Sequence, residues 1–324
     1  MKQKIYIAVA LALLLAVVLF MAWDMFYNKS ASEANPYEFD MKALRSGDTL
    51  AVMYHEVAHF TPALASIHGI AVDKNDRICV CGETGVEIFN SQGKKEAGFP
   101  LSGTATCIHV DEKGLIYLGM QDHLEIYDMT GKQVAKWKSW GEKTVITSIA
   151  TMSGEVYLAD AGNRVVLRCD RSGNLLKKIG EKDPARGIPG FVVPSPYFDL
   201  GIGNMGELWV VNPGRHLFEK YDPDGNISAT WGISSMSMEG FCGCCNPSNF
   251  AMFRDGSFVT SEKAIERIKV YGPGGEFKYV VAGPESFIEG TKGIDLAVDS
   301  KDRIIVLDPE KKQVRIFVLK TSSK

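Results

Sequence analysis

The sequence predicts an all-β fold, a six-bladed β-propeller preceded by one N-terminal transmembrane helix. Three observations predict it. A period of roughly 40–50 residues recurs six times along the chain. Within each period, short alternating apolar runs are separated by Gly, Asp or Asn turns, the pattern of antiparallel strands. Ahead of the first period, Ile5 to Trp23 runs for 19 residues without a charge.

That apolar stretch is long enough, at about 1.5 Å per helical residue, to cross the hydrocarbon of a bilayer. Lys2 and Lys4 precede it and Asp24 follows, so the positive-inside rule leaves the N-terminus cytoplasmic and exports the rest. Phe20-Met21-Ala22-Trp23 is too bulky for a small-residue cleavage site, and no Cys lies nearby for lipoprotein processing. An uncleaved anchor over residues 1–27 is therefore expected in preference to a cleaved signal peptide. Residues 28–47 are polar, contain Pro36 and lack periodicity, as a tether would. The propeller is expected over residues 48–320, in the periplasm or outside the cell.

The units begin with inner strands at Ile70, Ile108, Ile149, Leu200, Phe250 and Leu296, spaced 38, 41, 51, 50 and 46 residues apart. Second strands follow as ICVCG, IYLGM, VYLAD, LWVVN, FVTSE and IIVLD, and third strands as VEIF, LEIY, VLRC, FEKY, IKVY and VRIF. Gly93, Gly131, Gly173, Gly225 and Gly275 then turn five units into a fourth strand. The sixth lacks one, and the run Thr49–Glu56 is expected to supply it, pairing the two ends of the chain and removing the open sheet edges. A β-sandwich would not need six units with matching core columns.

The units resemble NHL repeats. The third carries the pattern most fully, in Tyr157, Ala159-Asp160, Gly162-Asn163-Arg164, Asp170 and Gly173. The sixth keeps Asp299, Leu307-Asp308 and Val314–Phe317, whereas Gly82, Met120 and Glu262 replace the second-strand Asp elsewhere. The resemblance covers residues 49–319. Residues 240–287 also look like an exported bacterial subgroup with a Cys-rich loop before blade five. The resemblance implies a propeller, and no particular activity, because propellers serve as binding platforms, scaffolds and enzymes alike.

Residues that break the columns carry the functional reading. Cys79, Cys81 and Cys169 fall in core columns, where a thiol behaves as a small hydrophobe. Two connections are enlarged, residues 181–198 and 233–249, and both should lie on one face of the propeller. Loops on a rigid scaffold are where binding chemistry concentrates. Arg186, Phe191, Tyr197, Phe241 and Asn246 are the candidate partner contacts there.

The second connection holds Cys242, Cys244 and Cys245, three of the seven cysteines. In an oxidising compartment a Cys242–Cys245 disulfide is the first reading, with a vicinal Cys244–Cys245 bridge as a more strained one. A third thiol then stays free, takes a ligand or reaches Cys107. A Cys-bound metal and thiol–disulfide exchange are the other readings; no second CxxC supports a four-cysteine metal set.

Asp199, Asn249 and Asp295 stand just before three consecutive inner strands. They are the candidate ligands for Ca²⁺ at the channel mouth, against the alternative that they cap inner-strand amides. His109 is expected to be a satisfied channel residue, and His68 and His216 loop residues. Arg164, Arg215, His216 and Arg267 are expected in solvated turns on the insertion face. The net charge of -3 and scattered Lys and Arg argue against nucleic acid as a partner. The resulting expectation is a membrane-anchored module binding a protein partner through loops 181–198 and 233–249, for a membrane or redox complex. Its alternative is a metal-dependent hydrolase, lactonase or lyase-like enzyme with a site at the channel mouth.

Overall fold

The computed structural model describes residues 2–27 and 52–320. Helix α1, Lys2–Tyr27, contains a 20-residue stretch, Ile5–Asp24, long and apolar enough to cross a membrane. The helix and the β-domain are separate compact units. The predicted tether lies outside the described residues.

The β-domain is a propeller of six four-stranded antiparallel sheets, whose 24 strands are numbered in chain order. The inner strands are β2 (Ile67–Val72), β6 (Cys107–Val110), β10 (Ile146–Met152), β14 (Leu200–Ile202), β18 (Asn249–Met252) and β22 (Asp295–Val298). Each blade runs outward in sequence order except the sixth. There β1 (Tyr54–Phe60) joins the edge of β24 (Gln313–Leu319), which pairs with β23 (Ile304–Asp308), in the order β1-β24-β23-β22. The closure expected from the sequence is present, but four residues later than expected at the C-terminal end: the strand extends to Phe60 rather than ending at Glu56. A bulge between Glu56 and Ala58 and the tilted packing of Phe60 on Phe89, ring centroids 4.5 Å apart, accompany this register. Thr49 to Ala51 lie outside the described residues.

Local chemistry explains why the units repeat. In blade three, Asp170 Oδ1 accepts from the amides of Ser172 and Asn174, at 2.8 and 2.9 Å, while Gly173 turns at φ 84°. This Asx turn sets the third strand against the fourth, and Asn90, Asp128 and Asp222 repeat it. The second strands, sandwiched between neighbouring blades, are almost wholly buried and read as near-continuous apolar runs, while the third strands are mostly buried yet carry charged residues such as Glu87 and Lys269. Cys79, Cys81 and Cys169 are fully buried among apolar side chains, as their columns predict.

Candidate functional site

At the heads of four inner strands Ser148, Asp199, Asn249 and Asp295 line the channel, and each reaches round the circumference to the next blade. Ser148 Oγ bonds the backbone of Leu200, Asp199 Oδ2 accepts from Phe250 N at 2.7 Å, and Asn249 Nδ2 donates to Ile294 O at 2.8 Å. Asp295 Oδ2 accepts from Ile70 N at 2.9 Å and so carries the series from blade six to blade one. In blade one the column is Gly69, where an added Cβ would stand 3.1 Å from Cys107 Cα. Asp199 Oδ1 and Asp295 Oδ1 also accept from the amides of Leu200 and Leu296. The carboxylate oxygens thus accept from backbone amides, the inner-strand capping that was weighed against Ca²⁺ binding for these residues. Among the described residues no three His, Cys, Asp or Glu side chains group as a metal set.

Burial, then the charge of Asp295, pushes the Asp199 carboxyl from its ordinary 3.8 up to about 7. Burial raises Asp295 to about 6. Between about pH 4 and 7 the folded chain therefore holds protons that the unfolded chain has released. This pair contributes stability below about pH 4 that is lost as the pH rises through 6 to 7. Asp295→Asn removes the repulsion, so the fall in unfolding free energy between about pH 4 and 7 should be shallower in this variant. Denaturant titrations across that window check it, and equal slopes would count against the assignment.

Inside the ring lies a cavity of about 560 Å³, lined among others by His68, Thr106, His109, Thr147, Asp199 and Asp295. His109 Nε2 meets Thr151 Oγ1 at 2.9 Å, and burial holds the imidazole near a pKa of about 4, hence neutral. It is the satisfied channel residue expected. His68 is not in a loop: it lies on β2, bonds Ala105 O at 2.8 Å and faces the cavity.

The two enlarged connections meet, as their places in the repeat predict. Phe241 is fully buried among Phe218, Trp231 and Tyr271, and anchors the second connection in the core between blades four and five. Lys269 Nζ, on β20 (Arg267–Tyr271), donates to the carbonyls of Met238 and Gly240 at 3.0 and 2.7 Å and lies 4.7 Å from the Phe241 ring. Asn246 Nδ2 donates to the carbonyls of Cys242 and Lys263, and Asn246 Oδ1 accepts from Lys263 N. His216, in the turn between β15 (Leu208–Asn212) and β16 (Leu217–Tyr221), contacts Ser234 Oγ at 2.7 Å and Gly243 O at 2.6 Å. From the first connection Phe191 is buried against Phe198 and Tyr221. Phe191, Phe241 and Asn246 therefore build the loops and offer no partner surface, because their aromatic and amide groups complete the core. Arg186 and Tyr197 keep exposed surface, with Arg186 donating to Asp224 O at 2.9 Å.

Arg267 also departs from its expected place. It is not a solvated turn residue: it is buried with Glu262, the last residue of β19 (Phe258–Glu262), at 3.1 Å, and Glu262 also pairs with Lys269 at 2.7 Å. In the aligned repeats Glu262 replaces the Asp and Lys269 stands where three other blades carry Glu87, Glu125 and Glu219, so the columns register the exchange of charge but not its burial.

The cysteines divide. Cys242 Sγ lies on the buried side, 3.8 Å from Arg267 Nη2, and burial raises its thiol. Cys244 is exposed at the tip beside Gly243, which turns at φ 82°. Cys245 is fully buried, and its thiol donates to Cys244 Sγ at 3.3 Å. All seven cysteines are thiols in this structure, and the pair in contact is Cys244–Cys245, not the Cys242–Cys245 pair first expected. Ser195 Oγ of the first connection donates to Cys245 Sγ at 2.9 Å. Lys263 Nζ donates to Ser195 Oγ at 3.1 Å, stands 3.8 Å from Cys244 Sγ and lies over the Tyr197 ring at 4.8 Å.

No family model matches the chain, and no curated protein matches it in sequence. Solved structures do match in fold. A streptogramin B lyase structure aligns with TM-score 0.58 at 10% identity, over 84% of this chain and all of that one. Virginiamycin B lyase from Staphylococcus aureus aligns with TM-score 0.57 at 12% identity, over 82% of this chain and 100% of that one. The WD40 β-propeller domain of Doa1 aligns with TM-score 0.56 at 12% identity, over 83% and 98%. Fold and site together define a six-bladed β-propeller with an N-terminal apolar helix and a built ledge on one face. At these identities the likeness is one of fold alone.

Proposed function

We propose that the chain is a membrane-anchored docking module. Helix α1 holds it in the bilayer with the N-terminus cytoplasmic, and the propeller presents a protein-binding face on the other side. The observation that carries this reading is the meeting of residues 181–198 and 233–249 on a shared polar centre of Ser195, Lys263 and Cys245. A preformed ledge of this kind binds without the entropy cost of ordering two long loops. Its exposed groups include Arg186, Val192, Ile233 and Cys244, a mixture of apolar and polar contacts suited to a protein surface. The shared fold of WD40 domains supports the same reading.

The rival reading is an enzyme, lyase-like or metal-dependent, working at the cavity. It is supported by the shared fold of the two lyases and by the cavity's size, and weakened by the amide bonds on Asp199 and Asp295. Two measurements on the detergent-solubilised full chain separate them. Arg186→Glu with Ile233→Asp should reduce recovery of a cross-linked membrane partner by about tenfold or more, as loss of an interface hot spot does. Stoichiometric Ca²⁺ or transition metal in the purified chain, with partner recovery unchanged, would favour the enzyme.

A further inference from the structure

We propose that Cys244 and Cys245 are a thiol–disulfide exchange pair, Cys244 attacking a disulfide in a protein or small molecule and Cys245 resolving the mixed disulfide. The proposal does not depend on the docking reading. It stands on a directed set of donors that ends on one sulfur. Lys263 Nζ donates to Ser195 Oγ, Ser195 Oγ donates to Cys245 Sγ, and the Cys245 thiol donates to Cys244 Sγ. Lys263 also faces Cys244 Sγ directly at 3.8 Å. Both side-chain donors on Cys244 Sγ, the Cys245 thiol and Lys263 Nζ, favour a negative charge there.

The consequence is electrostatic. The hydrogen bond from the Cys245 thiol, and then the Lys263 charge, hold the Cys244 thiol below its ordinary 9.0. The thiolate is the attacking form of cysteine, and lowered thiols are found beside lysines and other donors. The other charged or titratable groups packed on the loop are Tyr197, under Lys263, His216, on Gly243 O, Arg267, on Cys242 Sγ, Lys269, on the Met238 and Gly240 carbonyls, and Glu262, which pairs with both cations. The remaining thiols lack this setting. Cys79, Cys81, Cys107 and Cys169 are buried, with thiols pushed up by burial, and Cys242 faces the interior beside Arg267.

Position separates the two roles. Cys244 is exposed, so an incoming disulfide can reach it, while Cys245 is shielded from solvent and from competing attack. Their sulfurs are 3.3 Å apart. A bond between consecutive cysteines closes an eight-membered ring and is strained, so forming it shifts the backbone at the Gly243 tip as well as the side chains and leaves a readily reduced disulfide.

The chemistry balances without a metal or cofactor. Cys244 thiolate attacks R–S–S–R′, a Cys244–S–R bond forms, the substrate S–S bond breaks and R′S⁻ leaves. Cys245 then attacks Cys244 Sγ, the Cys244–Cys245 bond forms, and RS⁻ leaves with the proton that Cys245 loses. Two electrons pass from the dithiol to the substrate disulfide, and a dithiol reductant returns the pair to its starting state.

The test uses the full chain in detergent with two probes. With limiting iodoacetamide at neutral pH, peptide mass spectrometry should find Cys244 alkylated about fivefold or more faster than any other cysteine, and Lys263→Met should slow it severalfold. With oxidised glutathione, the native chain should end with Cys244 linked to Cys245 and no adduct, whereas Cys245→Ser should stop with glutathione on Cys244. Because the native chain is one arm, the test does not depend on a variant folding. A stable glutathione adduct on native Cys244, a Cys242–Cys245 linkage, or a Cys244 rate no faster than the other thiols would overturn the proposal.

Discussion

Replacing Glu262 with Gln is expected to destabilise the propeller by about 3–5 kcal/mol, the scale found when one partner of a buried ion pair is removed. Glu262, Arg267 and Lys269 are each about 1% exposed or less, and the carboxylate lies 3.1 Å from Arg267 and 2.7 Å from Lys269. Burial draws the Lys269 ammonium below its ordinary value, and the Glu262 charge opposes that fall. Without the carboxylate the ammonium is less able to stay charged. Its bonds to the Met238 and Gly240 carbonyls, which hold the second connection, then weaken. The expected readout is a lower denaturation midpoint, together with faster amide exchange over residues 233–245. A cycle with Lys269→Met should be non-additive by about 1–3 kcal/mol. A loss below about 1 kcal/mol would mean that this cluster does not hold the loop.

Deleting residues 52–60 is expected to abolish the single cooperative unfolding transition of the propeller. Strand β1 is the outer strand of blade six, paired to β24 from Tyr54 against Leu319 to Phe60 against Val314. Tyr54 is buried beneath blades five and six, and Glu56 bonds Arg315 at 2.7 Å. The deletion leaves β24 as an open edge, with the backbone groups and apolar surface that invite association between chains. A synthetic peptide of residues 52–61 should restore part of the transition by adding back as a strand. An unchanged transition in the deleted chain would show that closure by β1 is dispensable.

The interior pairs that make these effects large were only partly legible in sequence. Repeat alignment identified Glu262 as a substituted Asp, but the column did not say that Arg267 and Lys269 would turn inward to meet it. The reason is physical. A charge on a second or third strand is buried by the neighbouring blade, which lies about 40–50 residues away in the chain and leaves no local signature. The same reason accounts for His68, whose column looked like the end of a loop until the inner strand began at Ile67. It also accounts for Phe191 and Phe241, which sit in enlarged loops yet fill the core.

The sequence alone determined the number of blades, the position of the strands, the closing of the ring by the chain's two ends, the apolar helix and the common face of the two enlarged connections. Each follows from local periodicity, turn chemistry and the spacing of one unit from the next. Only the tertiary structure decided how the exceptional residues are used. Asp199, Asn249 and Asp295 reach sideways to the next blade because adjacent inner strands bring amides within hydrogen-bonding distance. Cys244 and Cys245 are set apart from Cys242 because Ser195 and Lys263, 50 residues before Cys245 and 19 after Cys244, arrive beside them only when blades three to five are assembled.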